Sequence, residues 1–267
     1  MDDDAFASAR DALIAARRAG RAIDRLPRAW LPADLAEAYR LQAAVVAKLG
    51  PTRAWKVAGV TAQQREAMQL GGPIGAPLPF VQDASLGPAE LRLADFVAAR
   101  IECEFAFELG IDLPSRDLPY SRDEVADAIV AMRLAIEIVD SRLPAGSGTL
   151  AELADGFNNG AFVVGPAIRD WRSLDLGAVG IVLTLSDVDG DKSAAPVEFA
   201  RGSGRAILDG DPFGAVPMLA NAQPPGPGLR AGAVVTTGSC TGAPWLTTKG
   251  LYSAVFDGLG TVAVRIA

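Results

Sequence analysis

Two glutamates stand inside an apolar, aromatic-rich run of the sequence, ARIECEFAFELG, which covers residues 99–110. The alternation in this run predicts a β-strand, in which residues two apart point to the same face. Glu102 and Glu104 therefore share a face, with their Cβ atoms about 6.6 Å apart at a rise of about 3.3 Å per residue. Carboxylates at that spacing can bind one cation between them. The alternative is a strand whose solvent face carries both side chains.

A third glutamate, Glu137, stands between apolar neighbours in LAIEIVDSR. Burying an unpaired carboxylate is costly, so a glutamate in this setting needs a partner. One interpretation is a salt bridge to Arg133 or Arg142. The other is a cation site that Glu137 completes together with the first two glutamates, with water or substrate in the open positions.

A lysine, Lys56, interrupts the short apolar segment AWKVAGV. Its aliphatic stem can cover the edge of a strand while the ammonium group stays in water. Alternatively, a partly desolvated ammonium can donate a hydrogen bond to an oxyanion or transfer a proton. The segment alone leaves both interpretations open.

The chain contains no histidine. This excludes Ser-His-Asp and Cys-His catalysis and zinc sites that use imidazole. Acid–base chemistry must then come from carboxylates, lysine, tyrosine, thiols or bound water. A metal site must be built mainly from oxygen, which favours Mg²⁺, Mn²⁺ or Ca²⁺.

Charge and hydropathy narrow the class of partner. The net charge of −7 and the pI near 4.8 argue against nucleic acid. No stretch approaches the roughly 18 apolar residues of a membrane span, and the acidic N-terminus lacks the pattern of a secretory signal. Two cysteines are too few for a disulfide framework. We therefore expect a soluble cytoplasmic protein.

The order of elements predicts an α+β protein. Apolar residues at helical spacing over residues 5–50 predict two helices, and many short strands follow with few helices between them. We expect a single catalytic domain over residues 1–267, with a helical preface (1–50) and a body (51–267) built on a bent, mixed or largely antiparallel sheet. Residues 69–80 are expected to form an irregular loop, residues 120–135 a helix, and Asp189-Gly190 a hairpin turn.

Two loops carry further polar candidates. Asp155, Asn158 and Asn159 precede a strand in ADGFNNG, where such residues are ordinarily turn formers but can also orient a small polar ligand. Thr237 and Ser239 lie in TTGSCTG. This segment is similar to a nucleophile elbow, but no histidine is available to serve the serine. We interpret it as a glycine-rich loop that presents hydroxyl and backbone N–H groups.

Taken in order, several segments resemble the 2-keto-4-pentenoate hydratases, which belong with the oxalocrotonate decarboxylases in the fumarylacetoacetate hydrolase superfamily. The segments are AWKVAGVT, RIECEFAFELG, MRLAIEIVDSR, ADGFNNGAFVVG, GDPFGAVPMLAN and AGAVVTTGSCTG. Each is weak alone, but the ordered set is specific and covers most of the chain.

The resemblance implies a mixed β-roll that carries Mg²⁺ or Mn²⁺ on three glutamates, which match Glu102, Glu104 and Glu137. It places the active-site lysine of the family at Lys56 and implies a homo-oligomer. The reaction implied is the addition of water to a 2-hydroxydienoate such as 2-hydroxypenta-2,4-dienoate, in the breakdown of aromatic compounds. In such a reaction the metal binds a 2-oxo acid and stabilises an enolate.

The chain departs from the family pattern at two places. The segment LGGPIGAPL is shorter than its counterpart and lacks the acidic residue thought to take part in proton transfer. The family segment ADNxSSG is ADGFNNG here, with Gly156 in place of an asparagine and Asn159 in place of a serine. An amide can hydrogen-bond a carboxylate but cannot relay a proton as a hydroxyl does.

Other functions remain open at this point. One is decarboxylation of an oxalocrotonate-like 2-oxo acid, which needs the same metal site. Carbon–carbon bond hydrolysis is less favoured, because the hydrolases of the superfamily commonly use a histidine. A third is a catalytically silent subunit that binds a 2-oxo acid and associates with a related decarboxylase or hydratase.

Overall fold

The computed structural model describes residues 1–187, 195–222 and 228–267. The predicted turn at Asp189-Gly190 lies outside these ranges. The helices are α1 Asp3–Ala19, α2 Leu35–Leu49, α3 Ala62–Met68, α4 Arg122–Ala128, α5 Thr149–Ala154 and α6 Ala215–Ala222. The strands are β1 Ala54–Ala58, β2 Ile74–Leu78, β3 Val81–Asp83, β4 Ala89–Leu91, β5 Arg100–Leu109, β6 Ile129–Val139, β7 Asn159–Ile168, β8 Gly180–Ser186, β9 Val197–Ser203, β10 Val234–Thr236, β11 Gly250–Phe256 and β12 Gly260–Ile266.

The strands form two mixed sheets, which confirms the α+β class. One has seven strands in the order β2-β1-β10-β5-β6-β7-β3, and the other has five in the order β4-β12-β11-β8-β9. Most neighbours are antiparallel, but β1 pairs with β10, β3 with β7 and β4 with β12 in parallel. The strands β8 and β9 pair antiparallel, as the hairpin prediction requires.

Strand β5 separates the two interiors of the molecule. One face carries Ile101, Cys103, Phe105 and Phe107, which are fully buried in the main core between the sheets. The opposite face carries Glu102 and Glu104 together with small apolar positions of the seven-stranded sheet. Alternation along a strand thus assigns the aromatic residues to packing and the glutamates to a second interior.

The seven-stranded sheet must curl strongly, because Lys56 on β1 contacts Glu137 on β6, three strands away in the hydrogen-bonded order. Strands in a flat sheet lie about 4.8 Å apart, so three spacings would exceed the reach of one lysine side chain. The inner face of the curl carries Ala54, Leu78, Ala106 and Phe162, which pack together. The sheet therefore forms a roll around the glutamates.

The two N-terminal helices are found where the sequence predicts them. Asp34 caps α2 by accepting a hydrogen bond from the Glu37 amide, and Gly50 follows the last residue. The helices pack on α5 through a separate apolar cluster that includes Leu13, Leu41 and Ala151. No helix in the described part of the chain is long and apolar enough to cross a membrane.

Two local predictions are wrong. Residues 69–80 are not an irregular loop throughout, because Ile74–Leu78 forms strand β2, which pairs with β1 along its whole length. The helix predicted over residues 120–135 ends at Ala128, and β6 begins at Ile129. The capping box of Ser121 and Glu124 starts this helix as expected, but cross-strand pairing then overrides helical propensity.

Candidate metal and substrate site

Three carboxylates meet on the inner face of the roll. Glu102 and Glu104 project from β5, and Glu137 lies directly opposite Glu102 in the register of β5 with β6. One carboxylate oxygen from each residue lies within 4.8 Å of the others. We call Glu102, Glu104 and Glu137 the carboxylate cage.

The cage is buried and its charges repel one another. Glu104 and Glu137 are each 1% exposed. Burial, and then the charge of Glu137, raise the pKa of Glu102 to about 7. Burial and the neighbouring glutamates also raise the pKa of Glu104 well above its ordinary value. Burial first, and then mutual repulsion, thus disfavour the charged forms of Glu102 and Glu104 in the metal-free protein.

Lys56 is the cation that contacts the cage. Its Nζ atom donates a hydrogen bond of 2.6 Å to Glu137 Oε1. Burial acts to lower the pKa of Lys56, but the charge of Glu137, with those of the other two glutamates, raises it overall. Lys56 is thus held protonated beside the cage. It is not the solvated strand-edge residue of the first interpretation.

The alternative salt bridges considered for Glu137 are wrong. Arg133 pairs with Glu108 instead, at 2.7 Å. Arg142 pairs with Asp140 and Asp155. The partner of Glu137 comes from a strand 81 residues earlier in the chain, which sequence spacing could not indicate.

The segment TTGSCTG forms the loop after β10 and orients Glu104. The backbone N–H groups of Thr237 and Gly238 donate to Glu104 Oε2 at 3.1 and 2.9 Å. Gly238 adopts φ of 103°, a conformation that favours glycine. The Thr237 hydroxyl donates to the Phe105 carbonyl, and the Ser239 hydroxyl donates to that of Gly242.

A cavity of about 290 Å³ opens onto the cage. Thr237 and Ser239 line it, as do Thr61 and Gln64 of the α3 capping box. Its remaining wall is largely apolar. Lys56 is the one cation among the described residues that line it, and Met68, Phe157, Ile207 and Leu208 supply bulky apolar groups.

Two of these wall residues were not foreseen from the sequence. Phe157 and Leu208 adopt φ values of 54° and 45°, in the left-handed region that bulky residues seldom occupy. Such strain concentrates at functional sites. No sequence signal indicates either residue, whereas Thr61-x-x-Gln64 is a capping-box pattern that could have revealed α3.

The structure does not bring Asp155, Asn158 or Asn159 to the cavity wall. The Asp155 carboxylate accepts a hydrogen bond of 2.9 Å from Arg142 Nε, and Asn159 Nδ2 donates to the Pro77 carbonyl at 2.9 Å. Asn158 has φ of 60° and its carbonyl accepts a hydrogen bond from the Asp140 amide. In the structure their polar groups hold the turn before β7 in place, and substrate binding by these three residues stays a prediction.

The carboxylate cage fits a divalent cation. The Glu137 Oε2 atom is buried and has no hydrogen-bond partner in the structure. Oxygens that share one Mg²⁺, Mn²⁺ or Ca²⁺ lie up to about 4–5 Å apart, since each is about 2.0–2.6 Å from the ion. The cage meets this limit, and a cation there would also satisfy the orphaned oxygen.

Solved structures show the same fold. A 4-oxalocrotonate decarboxylase from Pseudomonas putida G7, complexed with magnesium and adipate, aligns over 100% of this chain and 99% of its own, with a TM-score of 0.82 and 20% identity. A fumarylacetoacetate hydrolase family protein from Yersinia pestis covers 82% and 94%, with a TM-score of 0.54 and 20% identity. A fumarylpyruvate hydrolase from Pseudomonas aeruginosa, in complex with Mn²⁺ and pyruvate, covers 82% and 91%, with a TM-score of 0.54 and 16% identity. The chain thus has the fold of the fumarylacetoacetate hydrolase superfamily.

Sequence comparison identifies closer relatives. A 2-keto-4-pentenoate hydratase of Paraburkholderia phymatum is 33% identical over 177 residues, which cover 64% of this chain and 62% of that protein. The TodF product hydratase of Pseudomonas putida is 30% identical over 195 residues, 70% of this chain and 66% of its own. A 4-oxalocrotonate decarboxylase of Pseudomonas putida is 29% identical over 146 residues, 53% of this chain and 52% of its own.

These matches confirm the resemblance to the 2-keto-4-pentenoate hydratase and oxalocrotonate decarboxylase family. In each case, the matched part of the chain spans less than two thirds of the relative's own length. No family model matches the chain.

Proposed function

We propose that this protein is a metal-dependent hydro-lyase that adds water to a 2-hydroxydienoate such as 2-hydroxypenta-2,4-dienoate in the breakdown of aromatic compounds. The observation that carries the proposal is the buried carboxylate cage with Lys56 at one end of a cavity large enough for a small acid. The names of the two hydratase relatives support the reaction type. We further propose that residues 1–267 act as one catalytic domain in the cytoplasm.

Glu102, Glu104 and Glu137 would hold Mg²⁺ or Mn²⁺. Neighbours of the same fold contain magnesium or manganese, and three oxygen ligands suit either ion. When bound, such an ion supplies Lewis-acid chemistry to the 2-oxo acid form of the substrate. The Thr237 and Gly238 amides keep Glu104 oriented for this role.

The chain's own groups would handle the charge that develops on the substrate. The Lys56 ammonium, already buried beside Glu137, can donate a hydrogen bond to a substrate oxygen as that oxygen becomes negative. Thr237 and Ser239 line the same cavity, and each hydroxyl would exchange its carbonyl acceptor, Phe105 or Gly242, for the substrate carboxylate. Over the whole reaction, the dienol takes up one water molecule and becomes 4-hydroxy-2-oxopentanoate.

The cavity favours hydration over decarboxylation of oxalocrotonate. Oxalocrotonate carries a second carboxylate at the end remote from its 2-oxo group. Beyond the cage and Lys56, the described cavity wall offers Met68, Phe157 and Leu208 and no further cation to pair with that charge. Desolvating an unpaired carboxylate is costly, so an uncharged tail suits this wall better. Decarboxylation remains the second candidate because a relative carries that name.

A catalytically silent role would require the site to have lost its chemistry. The segment LGGPIGAPL contains no acidic residue that could transfer a proton, which supports such a role. The complete cage and Lys56 oppose it. The family resemblance also leads us to propose a homo-oligomer, with association to a related decarboxylase or hydratase as a further arrangement.

The test is the ultraviolet decay of 2-hydroxypenta-2,4-dienoate with purified protein, run with Mg²⁺ and again with excess EDTA. We expect loss of the dienol absorbance only with metal, and 4-hydroxy-2-oxopentanoate as product. Carbon dioxide release from 4-oxalocrotonate under the same conditions would instead support the decarboxylase. No turnover of either substrate would support a silent subunit.

A further inference from the structure

A second cavity, of about 360 Å³, lies between the end of α1 and strands β3 and β7, and it shares no lining residue with the first. Its charged lining residues are mostly basic, although the chain carries a net charge of −7. We call it the arginine cavity. Its charged residues are Arg17, Arg18, Arg92, Arg142, Asp95 and Asp140.

Both acids of the arginine cavity are already engaged. Asp95 accepts two hydrogen bonds from Arg92, at 3.1 and 2.7 Å. Asp140 Oδ1 accepts from the amides of Val97 and Ala98, and its Oδ2 lies 3.4 Å from Arg142. In the structure, neither carboxylate forms an ion pair with Arg17.

Among the described residues, two guanidinium groups of this cavity lack an ion-pair partner: Arg18, which is exposed, and Arg17, which is partly buried. The Nη2 atom of Arg17 donates only to the backbone carbonyls of Asp155 and Asn159, at 3.2 and 3.0 Å. No carboxylate of the described residues lies within ion-pair distance of it, and its Nε atom is buried without an acceptor. Burial, and then the charge of Arg142, lower the pKa of Arg17 to about 10. A buried cation with an unused N–H group is stabilised by an anion that accepts from it.

Apolar groups define the rest of this cavity. Phe80, Leu91 and Phe96 line it, and the Arg17 guanidinium lies 5.7 Å from the centre of the Phe80 ring. An inorganic anion would leave these surfaces without contacts. A planar carboxylate matches the guanidinium, and an attached ring or chain matches the apolar wall.

We propose that the arginine cavity binds a small organic carboxylate with an apolar body, with the carboxylate at Arg17 and the body against Phe80 and Phe96. A volume of about 360 Å³ is within the range of small-molecule sites. Because Arg17 Nε is covered in the structure, binding includes a change of the Arg17 rotamer. The proposal does not depend on the reaction at the carboxylate cage.

The test is a calorimetric titration with benzoate in EDTA, so that no metal remains in the carboxylate cage. Benzamide, which has the same shape without the charge, and sulfate, which has charge without an apolar body, are titrated alongside. We expect saturable binding of one benzoate per chain, and much weaker binding of the other two. Arg17→Met should weaken benzoate binding by at least about tenfold.

Arg10→Met is the matched control, because Arg10 also lies on α1 but pairs with Asp11 away from the cavity. It should leave benzoate binding unchanged. If Arg17→Met does not fold, Leu91→Trp fills the cavity without removing a charge and should also weaken binding. Binding that is equal in wild type, Arg17→Met and Leu91→Trp, the absence of benzoate binding, or equal affinity for sulfate would each overturn the proposal.

Discussion

The protein has two groups of charged residues in its interior, and they adjoin along the chain: Glu137 of the first group is followed three residues later by Asp140 of the second. One is the carboxylate cage. The other is the arginine cluster, made of Arg17, Arg142, Asp140 and Asp155. The cage sets three carboxylates against Lys56, whereas the cluster sets two guanidinium groups against two carboxylates.

The difference in charge indicates a difference in role. Within the cluster, Arg142 is paired from within the chain by its hydrogen bonds to Asp155 and Asn159 and can be retained for structure, whereas Arg17 is the residue to which we assign an external carboxylate. A group with surplus negative charge and an orphaned oxygen calls for a ligand from outside. We therefore expect variants of the cage to change activity, and variants of Arg142 and its partners to change stability.

The largest effect should follow from Glu104→Gln. The substitution removes one cage carboxylate and therefore weakens metal binding. Because a bound cation contributes several kcal/mol to such reactions, kcat/KM should fall by about a thousandfold. The unfolding free energy of the metal-free protein should not fall, because a repulsive charge has been removed. Dienol turnover and chemical denaturation measure the two quantities.

Glu108→Gln is the matched control for the cage. Glu108 lies on the same face of β5 but pairs with Arg133 and does not line the cavity. Its substitution should leave kcat/KM nearly unchanged. A loss of stability in Glu104→Gln that accounts for its loss of activity would contradict the assignment of the cage as a ligand site.

The second prediction concerns the balanced group. Arg142→Met leaves Asp140 and Asp155 buried without their shared cation, and breaking a buried ion pair in this way costs about 3–5 kcal/mol of unfolding free energy. The measurement is urea denaturation. The fraction that stays folded should bind Mg²⁺ as wild type does, whereas a selective loss of metal binding would show that the two groups are functionally one.

How well the sequence predicts each group of charged residues depends on whether the contacting residues are near or far apart in the sequence. Glu102 and Glu104 were predictable because alternation places them on one face, and Glu137 because its apolar neighbours imply burial. Lys56 could be singled out but not paired, because the curl that brings β1 to β6 is a property of the whole sheet. The sequence alone did not reveal the hydrogen bonds by which Asp155 and Asn159 hold the turn, because a turn residue and a ligand residue have the same local sequence.

Fold prediction shows the same limit. Strands β5, β6 and β7 are visible as local patterns, and the caps of α2 and α4 are local hydrogen bonds. Strand β2 was missed because its Gly and Pro residues favour a loop, whereas its five residues are paired with β1 and fully buried. Partner strands far away in the sequence decided its conformation.

The third prediction separates the groups by pH. The pKa of Glu102 is about 7 in the folded protein and ordinarily 4.5, so between these values the folded state holds a proton that the unfolded chain has lost. The unfolding free energy of the metal-free protein should therefore fall as pH rises through this window, by about 2 kcal/mol. The pKa of Arg17 is about 10, so this residue of the arginine cluster does not titrate there.

Denaturation at pH 5, 6 and 7 in EDTA, repeated with saturating Mg²⁺, measures this dependence. Because metal binds the charged carboxylates, it should reduce the decrease in unfolding free energy, and Glu102→Gln should reduce it without metal. A stability that rises with pH in the metal-free protein would mean that the carboxylates of the cage are already compensated, and the contrast with the arginine cluster would be lost.

The smallest effect is expected from Asn159→Ser, which places the residue of the family pattern at this position. A serine hydroxyl is too short to replace the hydrogen bond from Asn159 Nδ2 to the Pro77 carbonyl, so the unfolding free energy should fall by about 1 kcal/mol. KM should not change, because the side chain faces the turn rather than the cavity. Ser239→Ala, which alters the cavity wall itself, should raise KM instead. If Asn159→Ser raises KM and leaves the stability unchanged, Asn159 contacts the substrate. Its role would then be the one that its local sequence predicts, and its hydrogen bond to β2 would not be its main function.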